Sequence, residues 1–160
     1  MMHRAPSRLL LAGLTTGVTD GLFASVLAVF FFSSNLTRLW QGVASVLLGK
    51  SALDGGARTA WIGLLMHFGV AFAWSAVFLL AASASPALRR IIATRGGMVL
   101  VAVIYGLLIW LVMSLLVIPT LLHRPPNITY RWWIQLLGHP LFVGLPIVGW
   151  ISTGARDTPR

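Results

Sequence analysis

The stretch Gly13-Leu14-Thr15-Thr16-Gly17-Val18-Thr19-Asp20-Gly21-Leu22-Phe23-Ala24-Ser25 places a carboxylate in the middle of the first long apolar segment, which runs from Leu9 to about Phe32. At 1.5 Å per residue, roughly 24 helical residues reach about 36 Å, enough to cross a hydrocarbon core of about 30 Å with some tilt. An ionised Asp at that depth costs about 2.5 to 3.5 kcal/mol on insertion scales unless it is neutralised or paired, so it raises a functional question. On a helix, Gly13, Gly17, Gly21 and Ser25 fall along one stripe, with Thr16 and Asp20 beside it. Small residues at that spacing let another helix come close. The stripe is read as packing within the protein rather than as a homodimer seam.

Outward from this stretch, three more apolar segments are long enough to span, at about 59–82, 98–122 and 132–151. The basic start before Leu9 resembles a secretory signal, but a signal core is shorter and rarely holds an Asp. Between the first two spans, Leu36, Leu39, Trp40, Val43, Val46 and Leu47 follow helical periodicity, while Thr37, Arg38, Gln41 and Ser45 take the other face. Asn35 is placed to cap this helix. It is too short to span, so it is expected along the membrane interface with Trp40 at headgroup level; the alternative is a re-entrant segment with Gln41 and Ser45 turned inward. Ser51 to Asp54 has capping-box spacing, with Asp54 near the start of the next helix. Residues 83–97 read as a loop carrying Pro86, Arg89, Arg90 and Arg95. The fourth span is interrupted by Gly138-His139-Pro140 and Gly144-Leu145-Pro146. The expected fold is all-α: a single membrane domain over residues 1–160, an integral membrane four-helix bundle with spans at about 9–32, 59–82, 98–122 and 132–151. A short amphipathic interfacial helix over about 36–48 joins spans 1 and 2.

Composition agrees with this. A chain with 58% hydrophobic and only 9% charged residues, and a mean hydropathy of +0.87, lies outside the soluble range. Twelve Lys and Arg residues against Asp20, Asp54 and Asp157 give a net charge of +9. These cations fall mostly between apolar runs, where they meet lipid headgroups, so the partner is the lipid bilayer and no nucleic acid is expected. Seven cations lie at the termini and in the second loop and five in the first and third loops, which favours both termini on the cytoplasmic side. The absence of Cys removes disulfides, thiolate metal sites and Cys nucleophiles. With no Glu, and no G-x-S-x-G, H-E-x-x-H or Gly-rich phosphate loop, a binding or structural role is expected before an enzymatic one.

Depth along the helices gives one quantitative expectation. Asp20 lies roughly 14 Å below the outer face of the hydrocarbon core, His67 roughly 12 Å and His139 roughly 10 Å. Asp20, His67 and His139 are therefore expected to form one polar pocket in the outer half, with Gln135 one turn above His139 and Gln41 at the mouth. Pro140 adds to the polarity, since it cannot donate to the carbonyl of Leu136. Asp20 is the charge or proton acceptor in this reading, and the two His residues are its partners.

The series Gly17-Val18-Thr19-Asp20, Leu39-Trp40-Gln41-Gly42-Val43-Ala44-Ser45-Val46-Leu47-Leu48-Gly49, Leu65-Met66-His67-Phe68 and His139-Pro140-Leu141-Phe142-Val143-Gly144-Leu145-Pro146 resembles a family of small uncharacterised four-span bacterial inner-membrane proteins. The resemblance implies the four-span architecture and the bacterial inner (cytoplasmic) membrane, and it implies no activity. The function expected is binding of a small ligand or a proton in the Asp/His pocket. Proton-linked transport through so few helices would call for a homodimer. One alternative is a redox module in which His67 and His139 are the iron ligands of a haem b or line a quinone site. Another is a structural accessory protein bound to a membrane partner subunit. A metal held by Asp20 and both His residues is the enzymatic form left open.

Overall fold

The computed structural model describes residues 5–156; Arg4, Asp157 and Arg160, counted above, lie outside them. The described chain is all-helical, with four helices long and apolar enough to cross a membrane: Ala5–Phe31, Gly56–Ala84, Arg95–Leu122 and Tyr130–Ala155. In detail, α1 (Ala5–Val26) runs on through a π-helical turn at Leu27–Phe31, followed by α2 (Leu36–Leu48) and a 3-10 turn at Lys50–Asp54. Next come α3 (Gly56–Ala84), α4 (Pro86–Ala93) and α5 (Arg95–Val112), which continues through a π turn at Met113–Val117 into α6 (Ile118–Leu122). The last long helix is α7 (Tyr130–His139), a π turn at Pro140–Gly144 and α8 (Leu145–Arg156). Two of the three π turns adjoin prolines, Pro119 and the pair Pro140 and Pro146. Proline removes a backbone donor and crowds the turn before it, and a widened turn is one way the ladder adjusts.

Two local expectations are corrected. Residues 83–97 are not a loop, because Pro86–Ala93 forms α4. The Ser85 hydroxyl accepts from the Leu88 N–H at 3.2 Å, and Pro86 sits where its missing donor costs nothing. Thr94 then caps α5 by accepting from the Gly97 N–H at 3.1 Å. The capping box read over Ser51 to Asp54 does not form, since the Ser51 hydroxyl donates to the Leu48 carbonyl at 3.3 Å and no side chain caps α3 at Gly55, although Asp54, which ends the 3-10 turn, does lie near the start of α3. The start of α3 is tied instead by Thr59, whose hydroxyl donates to the Ala52 carbonyl at 2.6 Å.

The 13-residue α2 begins where expected, with Asn35 Oδ1 accepting from the Arg38 N–H at 2.9 Å. It folds back onto α3, and the approach is close because Gly63 carries no side chain: a Cβ there would meet the Trp40 carbonyl oxygen. The face it buries holds Gln41 and Ala44, so Gln41 points inward as in the alternative reading, and donates to the Gly56 carbonyl at 3.1 Å. Burying an amide without a partner is costly, and this bond removes that cost.

One apolar core joins α1, α3, α4, α5 and α8 through Ala12, Phe78, Ile92, Ala102, Ile147 and Val148, among others. Helix α1 packs on α3 and α8, and α5 packs on the Pro140–Gly144 turn and α8. Gly106 and Gly144 set the second contact, since a Cβ on Gly144 would run into the Ala102 carbonyl and one on Gly106 would lie 2.6 Å from the His139 carbonyl. The outer faces of the long helices are apolar, with Leu22, Leu65, Leu80, Leu116 and Leu137 all more than 60% exposed. Side chains of that kind facing outward along every long helix match a surface covered by lipid rather than water.

Candidate functional site

The glycine stripe of α1 is a socket for α3. The Phe72 ring covers Gly13, the Phe68 ring covers Gly17, and the imidazole of His67 lies 3.3 Å from where a Cβ of Gly21 would stand. The absence of side chains there brings His67 onto the backbone of α1, where its Nε2 is 3.0 Å from the Gly17 carbonyl. A carbonyl only accepts, so Nε2 carries the hydrogen. The other nitrogen, Nδ1, faces Asp20 Oδ2 at 3.9 Å. Trp40 of α2 covers the imidazole with ring centroids 5.2 Å apart, and Phe68 meets it edge-on at 5.8 Å.

With Nε2–H committed, a neutral His67 presents a lone pair to Asp20, and a doubly protonated one presents an N–H. With one proton between them the two side chains would be neutral overall, either as a carboxylic acid beside a neutral imidazole or as a carboxylate beside an imidazolium. At 3.9 Å the two atoms are beyond hydrogen-bond distance. Asp20 Oδ1, on the same carboxyl group, is buried and has no hydrogen-bond partner within the protein; the same holds for Thr16 Oγ1, one turn earlier, and for Trp110 Nε1. Buried groups of this kind are as a rule satisfied, so these atoms mark where a water or a ligand atom fits.

His139 is on the opposite side, buried on α7 with its Nδ1 2.8 Å from the Gln135 carbonyl and its ring 4.7 Å from that of Trp110. The contact of α1 with this helix is built by Phe23, which fills the space over Gly138 and stacks on Phe142 at 4.4 Å. Thr19 adds a hydrogen bond: its hydroxyl is 2.7 Å from the Phe142 carbonyl and 2.8 Å from that of Thr15. Pro146 cannot donate to the carbonyl of Phe142 four residues before it, and Thr19 reaches that carbonyl from another helix. Thr19→Val should lower stability by about 1 to 3 kcal/mol, since the carbonyl loses its donor, and Thr19→Ser should restore it. Unfolding midpoints in detergent would measure both.

Of the residues singled out in the sequence, Asp20 and His67 are brought face to face, whereas His139 is engaged by the Gln135 carbonyl and the Trp110 ring. Gln41 is engaged at Gly56, and Gln135 supplies its carbonyl to His139. Thr16, placed beside Asp20 by the helical spacing, completes the surroundings with Trp40, Trp110 and Thr19, which were not expected there. Thr19 was open to inference, since the rule applied to Pro140 also applies to Pro146. For a haem b, His67 could offer iron only Nδ1, since Nε2 is held by the Gly17 carbonyl, and Asp20 Oδ2 stands 3.9 Å in front of that nitrogen. Among the described residues, no three His or acidic side chains come close enough to hold one metal ion, which removes the Asp20 and two-histidine metal site.

Four membrane-length apolar helices with a histidine and a carboxyl group facing each other between two of them define a multi-pass membrane protein with a polar interior contact. Compared with known proteins, the chain matches no family model, no curated protein and no solved structure.

Proposed function

We propose that this chain is a polytopic protein of a bacterial inner membrane whose four spans form a bundle around a proton-binding site, the Asp20–His67 pair. One observation carries the reading: the Gly17 carbonyl fixes the hydrogen of His67 on Nε2 and so turns Nδ1 toward Asp20. A pair of this kind can hold one proton on either partner while staying neutral overall, and Asp20 Oδ1 offers the contact for a small polar ligand. His139 is the next titratable group. The excess of cations beside the termini supports termini on the cytoplasmic side, and the Trp40 and Gln41 segment then lies along the outer interface.

Infrared spectra of purified protein across mildly acidic to mildly alkaline pH test this directly. A carboxylic acid band is expected that responds to pH, disappears in Asp20→Asn and moves in His67→Gln. Proton uptake on acidification, followed with an indicator dye, should be smaller in Asp20→Asn than in the parent protein. If no band depends on Asp20, or that band ignores pH, the pair is packing and carries no proton.

A further inference from the structure

A second polar feature lies away from Asp20, where the end of α2 meets the end of α6. A cavity of about 270 Å3 opens there, lined by Ser45, Leu47, Lys50, Leu53, Leu121 and Arg124 among others. Lys50 and Arg124 are exposed, and among the described residues neither makes an ion pair. Asp54, the acid closest in sequence, does not line the cavity. The helix ends offset part of the charge: α2 contributes about half a negative charge at its C-terminus, and α6, five residues long, contributes less. Two cations against that leave a net charge of about +1 or more, a match for one singly charged phosphodiester.

Apart from the two cations, Ser45 and Gly49, the lining side chains are apolar: Val46, Leu47, Leu53, Leu121 and Leu122. Leu121 and Leu122 close the span Arg95–Leu122, so the cations stand at the level where a membrane-length helix ends. Leu47 is 63% exposed and Leu121 45%, which leaves an uncovered apolar wall beneath the charges. Charge above and hydrocarbon below is the pattern of a phospholipid at a helix end, and guanidinium and ammonium groups are the donors used for phosphate.

We infer that this cavity binds the headgroup of an anionic phospholipid, with the phosphodiester between Lys50 and Arg124 and an acyl chain along Leu47, Leu121 and Leu122. The inference rests on the apolar spans and not on the Asp20–His67 pair.

Native mass spectrometry of protein released from nanodiscs of mixed phosphatidylglycerol and phosphatidylcholine tests it. Phosphatidylglycerol should be retained in preference to phosphatidylcholine. Lys50→Gln and Arg124→Gln should each reduce that retention about fivefold, on the scale of one surface cation near an anionic lipid. Lys50→Arg should keep it, and Arg58→Gln, which removes an exposed cation outside the cavity, should leave it unchanged. Both cavity cations are exposed, so unfolding midpoints should not move and loss of fold is distinguished from loss of lipid. Equal retention of the two lipids, an equal fall with Arg58→Gln, or displacement of the lipid by inorganic phosphate would each overturn the inference.

Discussion

Gly144→Ala is expected to destabilise the protein by about 1 to 3 kcal/mol, although alanine is the better helix former. The new methyl would collide with the Ala102 carbonyl and lie 3.0 Å from the Gly106 amide nitrogen, and both obstacles are backbone, which no rotamer change can move away. Relief requires the Pro140–Gly144 segment to separate from α5. That would open the contact at Gly106 and disturb His139, whose carbonyl faces it. Gly149→Ala is the control and should act in the opposite direction, because a Cβ there meets nothing within 4 Å. Its gain should be about 0.5 to 1 kcal/mol, from the reduced freedom of the unfolded chain and better helix propensity. Denaturant titration in detergent, followed by tryptophan fluorescence, reads both, and equal shifts of the same sign would show that the helix contact is looser than described.

The second large effect concerns the proton pair. His67→Leu removes the partner of a carboxyl group that is only 18% exposed and gives up the bond to the Gly17 carbonyl. Removing one member of a buried pair costs about 3 to 5 kcal/mol when the other stays charged. The double variant Asp20→Leu/His67→Leu should be more stable than the sum of the two single losses by about 0.5 to 3 kcal/mol, the coupling expected of side chains in contact. Strict additivity across this cycle would mean that the two side chains do not interact.

Much of the architecture was legible because the long apolar runs leave a helix few other ways to satisfy its backbone in lipid. The bounds moved outward, from 59–82 to Gly56–Ala84 for instance, since helical bonding continues through polar flanks until a cap or a proline ends it. Short α4 was missed because an eight-residue segment with Arg89 and Arg90 reads as a charged loop, and its Ser85–Pro86 start signal was not weighed. Rise per residue predicts a similar depth for Asp20, His67 and His139, and of these the structure sets Asp20 against His67. Rotation was not legible. It is set by which ring fills which glycine gap, Phe72 over Gly13 and Phe68 over Gly17, and that choice depends on shape across two helices. Gln41 shows the same limit: periodicity placed it on a polar outer face, whereas the Gly63 gap drew α2 in far enough to bury it.

The hydroxyl of Thr19 has one hydrogen and three carbonyls within reach, those of Thr15 and Thr16 on its own helix and that of Phe142 on the other. When α1 and the Pro140–Gly144 segment part, that hydrogen does not go unused, because the Thr15 carbonyl takes it at once. Only the Phe142 acceptor is left bare, and a water can serve it. The joint therefore behaves as a latch whose bolt always has a keeper: opening it exposes one polar group where an ordinary interhelical bond exposes two. Beside Asp20, the helices are held by a contact that is easier to undo than to lose.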